Sequence, residues 1–102
     1  MTANEDQQRL ARQRAAREML AADVYAGALT NTFRGTRHEA EAVRLARLVA
    51  DSAVDAAILR RGAHRSPSAT RAADEARQVA RLERQRADEA VERWFAETHS
   101  AG

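Results

Sequence analysis

Arginine is the residue type with most chemistry to offer in this sequence. All seventeen basic residues are arginine and none is lysine. A guanidinium forks two parallel hydrogen bonds onto a carboxylate or phosphate, which an ammonium cannot do. The densest group is Arg60-Arg61-Gly62-Ala63-His64-Arg65-Ser66, with Arg71 close behind it. Arg9, Arg12, Arg14 and Arg17 form a second group near the start of the chain. Arg9, Arg12, Arg60, Arg61, Arg65 and Arg71 are therefore the candidate anion-binding residues. A GC-rich genome also produces arginine in place of lysine, so the bias alone does not mark a site. The formal net charge is only +2, too little to imply nucleic-acid binding by itself, and the pI near 10.3 exaggerates the basicity because arginine does not titrate in the usual range. No aromatic residue lies beside the basic groups to stack a base, and no helix-turn-helix spacing, zinc ligands or RNA-recognition motif is present. Nucleic acid, if bound, is held by its phosphates in a salt-sensitive and sequence-tolerant way.

Other reactive patterns are sparse. The chain has no cysteine, which excludes disulfides and thiolate chemistry and favours an intracellular setting. Carboxylate-bridged di-iron sites in helical bundles need two Glu-x-x-His motifs with further inward glutamates. The three histidines, His38, His64 and His99, fall near helix ends or loops, and His38-Glu39-Ala40-Glu41 has no counterpart elsewhere. No metal or cofactor is expected. There is no serine–histidine constellation and no glycine-rich phosphate loop, so no catalytic residue is assigned. Asp23 and Glu83 interrupt apolar stretches; a paired carboxylate that fixes helix register is the expected role.

These residues must be positioned by helices. Alanine and arginine dominate, β-branched residues are few, and one proline and four glycines punctuate the 102 residues. Asn4 and Gln7 resemble a capping box, with Glu5 and Asp6 suited to a helix N-terminus, and open a first helix over about 5–33, ahead of Gly35. Thr36-Arg37-His38-Glu39 reads as a second capping box, opening a helix over 37–61 with Gly62 as a left-handed C-terminal cap. Ser66 as cap and Pro67 in the first turn open a third helix over 67–98.

Small residues recur at alternating spacings of three and four. In the third helix the seam is Ala69, Ala73, Ala76, Ala80, Glu83, Ala87, Ala90 and Trp94. In the second it is Ala42, Ala46, Val49, Ala53 and Ala56, flanked by Leu45, Ser52 and Leu59; in the first, Ala15, Met19, Ala22, Ala26, Leu29 and Phe33. A 3.5-residue period is coiled-coil geometry, and alanine lets helix axes approach closely. Short loops between long helices favour antiparallel neighbours. The expected fold is a single all-α domain, a three-helix antiparallel up-down-up coiled-coil bundle with Ala-rich seams that dimerisation could complete.

That topology gathers Phe33, Trp94 and Phe95 at the Gly35 end and puts the two arginine groups at the other. Glu39, Glu41, Asp88, Glu89, Glu92 and Glu97 make the aromatic end acidic, whereas Glu5, Asp6, Asp74 and Glu75 dilute the basic one. The second helix is expected to be the most buried, with its charges Arg44, Arg47, Asp51 and Asp55 confined to a strip. From Met19 to Phe33 the first helix carries only Asp23 as a charge, so spare apolar surface points to a protein partner or a homodimer. Met19, Leu20, Val24, Tyr25 and Leu29 are its candidate anchors, with Asp23 setting orientation. The leading expectation is a non-enzymatic helical adaptor or interaction protein, such as an accessory, inhibitor or assembly subunit of phage or mobile-element type. Nucleic-acid binding through the arginine-rich pole comes second, and a small helical enzyme with an arginine-lined anion pocket third. No apolar run reaches the ~18 residues of a membrane span, and the polar, acidic start is unlike a signal peptide, so a cytoplasmic location is expected.

Overall fold

The computed structural model describes the backbone of residues 3–100 and the side chains of residues 3–97. Three long helices, α1 (Ala3–Thr32), α2 (Glu39–Arg61) and α3 (Pro67–Ser100), run up, down and up, with a short 3₁₀ turn at Ala63–Arg65 before the last. Every residue of the three small-residue seams is buried or half-buried. Ala15, Ala22, Ala42, Ala46, Ala56, Ala73, Ala87 and Ala90 are all buried, which lets the helix axes close up as small seam residues allow. Glu83 occupies its seam position half-buried, and its carboxylate is held at 3.3 Å by Arg86 of the same helix. Asp23 is exposed on α1 and does not meet Glu83.

α2 lies in the middle. Its backbone packs closely on both neighbours, and Ala42, Leu45, Ala46, Val49, Ser52, Ala56 and Ala57 are buried. Arg44, Arg47, Asp51 and Asp55 stay exposed. Among the described residues no Cα of α1 comes within 8 Å of one in α3. The outer helices meet through side chains, at Tyr25 with Arg84 and Asp88, and Phe33, just past the end of α1, packs on Trp94. The molecule is correspondingly long, 60 × 23 × 18 Å, with a radius of gyration of 16.8 Å where a compact chain of this length has about 13 Å.

Several boundaries differ from the sequence reading, and α1 ends at Thr32, one residue short of 33. α1 is already helical at Ala3, so Asn4 lies inside its first turn instead of capping it, although Glu5 and Asp6 remain at the positive end of the helix dipole. α2 begins at Glu39, not at 37. The Thr36 hydroxyl donates to the Phe33 carbonyl at 2.7 Å and accepts the His38 N–H at 3.2 Å, so it closes the turn leaving α1. Glu39 reaches back to accept the Gly35 N–H at 3.0 Å. The left-handed glycine is Gly35, at φ 78°, and not Gly62, whose φ is −100°. The first connection must reverse the chain abruptly, whereas the second continues as a 3₁₀ turn and needs no left-handed residue. α3 extends two residues past 98, to Ser100. Its start is as expected: the Ala69 N–H donates to the Ser66 hydroxyl at 3.1 Å, directly before Pro67.

The aromatic end is assembled as the topology requires. Trp94 and Phe33 are both buried, their rings edge to face at 4.7 Å, with Phe95 5.7 Å from Phe33 and half-exposed. His38 joins them, its ring stacked on Trp94 at 4.7 Å while Nε2 lies 3.2 Å from Glu97. Arg37 holds the same carboxylate at 2.6 Å.

Candidate functional site

The separation of α1 from α3 leaves a long groove whose floor is α2. Val49, Ala53 and Ala56 make the floor, and Ala21, Ala22 and Ala80 the lower walls, over a volume of about 280 Å³. Alanine walls are low, so the rims belong to longer side chains. On α3 these are Arg77, Arg81 and Arg84, spaced by four and then three residues and so stacked along one helix face. On α1 the rim is Glu18.

Tyr25 closes the groove at the aromatic side. Its hydroxyl donates to Asp88 at 2.6 Å, and the Arg84 guanidinium sits 3.5 Å over its ring while also approaching Asp88 at 3.6 Å. Burial pushes the phenol up to about 12, and the Asp88 carboxylate, as hydrogen-bond acceptor and as negative charge, acts in the same direction against Arg84. The three side chains span a gap that the backbones leave open.

Toward the basic end the groove continues past Arg77 into two further hollows of similar size, about 300 and 310 Å³. Arg14, Arg60, Arg77 and His64 line one, and Arg12, Arg60, Arg61 and His64 the other. Seven arginines and one carboxylate, Glu18, line the three hollows together, so the groove is strongly cationic although the chain is nearly neutral. Arg60 is largely buried and spends its charge on Glu18 at 3.2 Å. Arg12, Arg14, Arg61, Arg77 and Arg81 have no carboxylate partner among the described residues. With its one carboxylate already held by Arg60, the groove is equipped to bind anions.

The six arginines singled out from sequence therefore divide. Arg12, Arg60 and Arg61 come together in the groove. Arg9 is tied to Asp6 at 3.5 Å, and Arg65 and Arg71 are exposed outside the lining. Sequence reasoning missed Arg77, Arg81 and Arg84. Their signal was present, since each adjoins a seam position, Ala76, Ala80 and Glu83, and so borders the buried face of α3.

The proposed apolar anchors divide as well. Leu29 is buried and Met19 and Tyr25 are half-buried, all serving the chain's own packing. Leu20 and Val24 are 64% and 65% exposed, on the same outer face as Asp23. Gly27 is on that outer surface too, and a Cβ added there would meet nothing within 4 Å. A further apolar groove of about 420 Å³ runs between α2 and α3, lined by Ile58, Leu59, Ala76 and Val79. Among the described residues no three of His, Asp and Glu gather in metal-ligating geometry, and no helix is long and apolar enough to cross a membrane. The side chain of His99 lies outside the described residues. In comparisons with known proteins, the chain matches no family model, no curated protein and no solved structure.

Proposed function

We propose that this chain is a non-enzymatic helical interaction protein, an adaptor or assembly subunit whose partner is another protein seated on the outer faces of α1 and α2. One observation carries the reading: four of the five leucines that stand exposed, Leu10, Leu20, Leu48 and Leu59, lie on α1 and α2, while alanines fill the seams. A chain this short has little apolar side chain to spare for its own core. Leaving leucine in water while alanine is buried forgoes about 0.8 kcal/mol for each methylene that could have been covered. The arrangement suits a surface that a second protein covers.

On α1 the partner-facing strip is Leu20, Val24 and Gly27, with Asp23 at its edge. A glycine inside a helix costs roughly 1 kcal/mol relative to alanine, and nothing in its own chain requires Gly27 to lack a side chain. Close approach of a partner backbone supplies a reason. The test is a photo-crosslinking side chain placed at Leu20 or Ile58, with exposed Asp74 as control. Discrete protein adducts are expected at the first two sites and none at the third, and Val24→Arg should abolish the Leu20 adduct without loss of helicity. Equal labelling at all three sites, or none, would overturn the proposal.

A second reading, polyanion binding, is favoured by the seven arginines against one carboxylate around the α1–α3 groove. Phosphates fit it better than bases, because Tyr25 already has Arg84 on its ring. Fluorescence anisotropy with duplex DNA, single-stranded DNA and RNA at two salt concentrations tests it. Binding should fall steeply with salt, and the slope should flatten in a variant with Arg61, Arg77 and Arg81 changed to Gln. No binding at low salt removes this reading.

A further inference from the structure

The outward face of α3 carries its own interaction pattern, distinct from the Leu20–Val24 strip of α1 and adjoining the α2 residues Ile58 and Leu59. Val79 and Leu82 are each 50% exposed there, and the apolar groove containing Ile58 and Leu59 runs along its edge. Arg71 and Glu75 precede this pair by about two turns and one turn, and Arg86 and Glu92 follow it. Arg71, Glu75 and Glu92 are exposed and have no ion-pair partner among the described residues. Arg86 reaches only its own helix neighbour Glu83, with its side chain 67% exposed.

We propose that a second copy of this chain covers this face, the two α3 helices packing antiparallel about a twofold axis between Ala80 and Arg81. In such a pairing each step toward the N-terminus of one helix meets an equal step toward the C-terminus of the other. Val79 opposes the partner's Leu82, and symmetry repeats the contact. One layer outward, Glu75 opposes the partner's Arg86. At the flanking positions beyond, Arg71 meets the partner's Glu92, and nearer the axis Gln78 meets the partner's Gln85. Both apolar residues are thus enclosed by ion pairs of the correct sign on either side.

The competing registers fail on the same residues. A slip of one heptad in one direction puts Val79 against the partner's Glu75, and in the other direction against the partner's Glu89, with Leu82 on the partner's Arg86. A parallel in-register pair sets Glu75 against the partner's Glu75 and Arg86 against the partner's Arg86. Burying a charge against an apolar side chain, or like charges against each other, disfavours each of these. Of these four arrangements, only the antiparallel pair centred between Ala80 and Arg81 keeps charge off Val79 and Leu82 and sets opposite charges beside them, and the occupant it takes is this chain itself.

Sedimentation velocity across a concentration series reads the dimer as a species of twice 11.3 kDa. Glu75→Arg and Arg86→Glu should each weaken association by roughly tenfold, since every reversal acts twice by symmetry. The double variant E75R/R86E should restore it. The chain has no cysteine, so register can be read directly. In an oxidised mixture of V79C and L82C chains, the mixed disulfide should exceed either same-variant product. A monomer at all concentrations, a dimer indifferent to the single reversals, a double variant that fails to recover, or equal disulfide yields would each overturn the proposal. The crosslink at Leu20, on the outer face of α1 and away from Val79 and Leu82, is read separately, so loss of the dimer is distinguishable from loss of the partner surface.

Discussion

Replacing Trp94 by alanine tests whether the aromatic end holds this long bundle together. The indole is 3% exposed, edge to face with Phe33 and stacked on His38, both at 4.7 Å. A buried aromatic of this size covers roughly 150–250 Å², and losing about 150 Å² at ~25 cal/mol per Å² costs about 4 kcal/mol. The edge contact with Phe33 adds about 0.5–1.5 kcal/mol. Phe95, 47% exposed and 5.7 Å from Phe33, can swing inward and recover part of this, which places the expected loss in the range of about 3–5 kcal/mol. Small domains are stable by only about 5–15 kcal/mol, so most of the margin is at stake. At about 4–8 °C per kcal/mol, Tm should fall by at least roughly 12 °C. Thermal melts followed by circular dichroism at 222 nm, with urea titrations alongside, measure both quantities. Phe95→Ala is the internal control and should cost about 1 kcal/mol, because half of that ring is already in water. A Trp94→Ala melt within about 5 °C of the parent, or equal losses for Trp94 and Phe95, would refute the reasoning.

Three further outcomes follow from single contacts. Tyr25 is the only tyrosine, so tyrosinate absorbance at 295 nm reports it alone. Its phenol, raised to about 12 in the folded chain from 10.0, favours the folded state fully below pH 10, and that contribution is lost as pH rises toward 12. Absorbance should develop only well above pH 10, and Tyr25→Phe should remove this alkaline sensitivity; a titration midpoint at pH 10 contradicts it. Ser66→Ala removes the acceptor for the Ala69 N–H and should cost about 0.5–2 kcal/mol in a urea titration, whereas Ser68→Ala should cost almost nothing. Gly27→Ala should stabilise the free protein by about 0.4–1 kcal/mol, since the added methyl meets nothing within 4 Å. Destabilisation in the free protein would show that Gly27 is needed for folding and not for a partner.

The seams illustrate what periodicity can reveal. Ala69 through Trp94 on α3, and their counterparts on α1 and α2, are local patterns of three and four that any helix turns into one face, so their burial was legible in advance. The Ser66-Pro67 cap was legible for the same reason, because donor and acceptor lie three residues apart. At Thr36 the same kind of signal misled. Its hydroxyl had two local uses, capping α2 or closing the turn from α1, and the reversal at Gly35 decided for the second. Which arginines stand together lay further out of reach. Arg12, Arg60 and Arg77 are 48 and 17 residues apart in sequence and share a groove only because α1 and α3 run parallel on either side of α2.

The helices, their buried faces and the spare apolar surface of α1 follow from local pattern. It takes the packed bundle to set α2 between two helices whose backbones stay apart, to bridge them with Tyr25, Arg84 and Asp88, and to neutralise Arg60 with Glu18 while Arg77 and Arg81 have no carboxylate partner among the described residues. Helix formation and facing are set by neighbours within one or two turns. The pairing of charges from different helices depends on axial offset and spacing, and these are fixed by how the alanine seams pack.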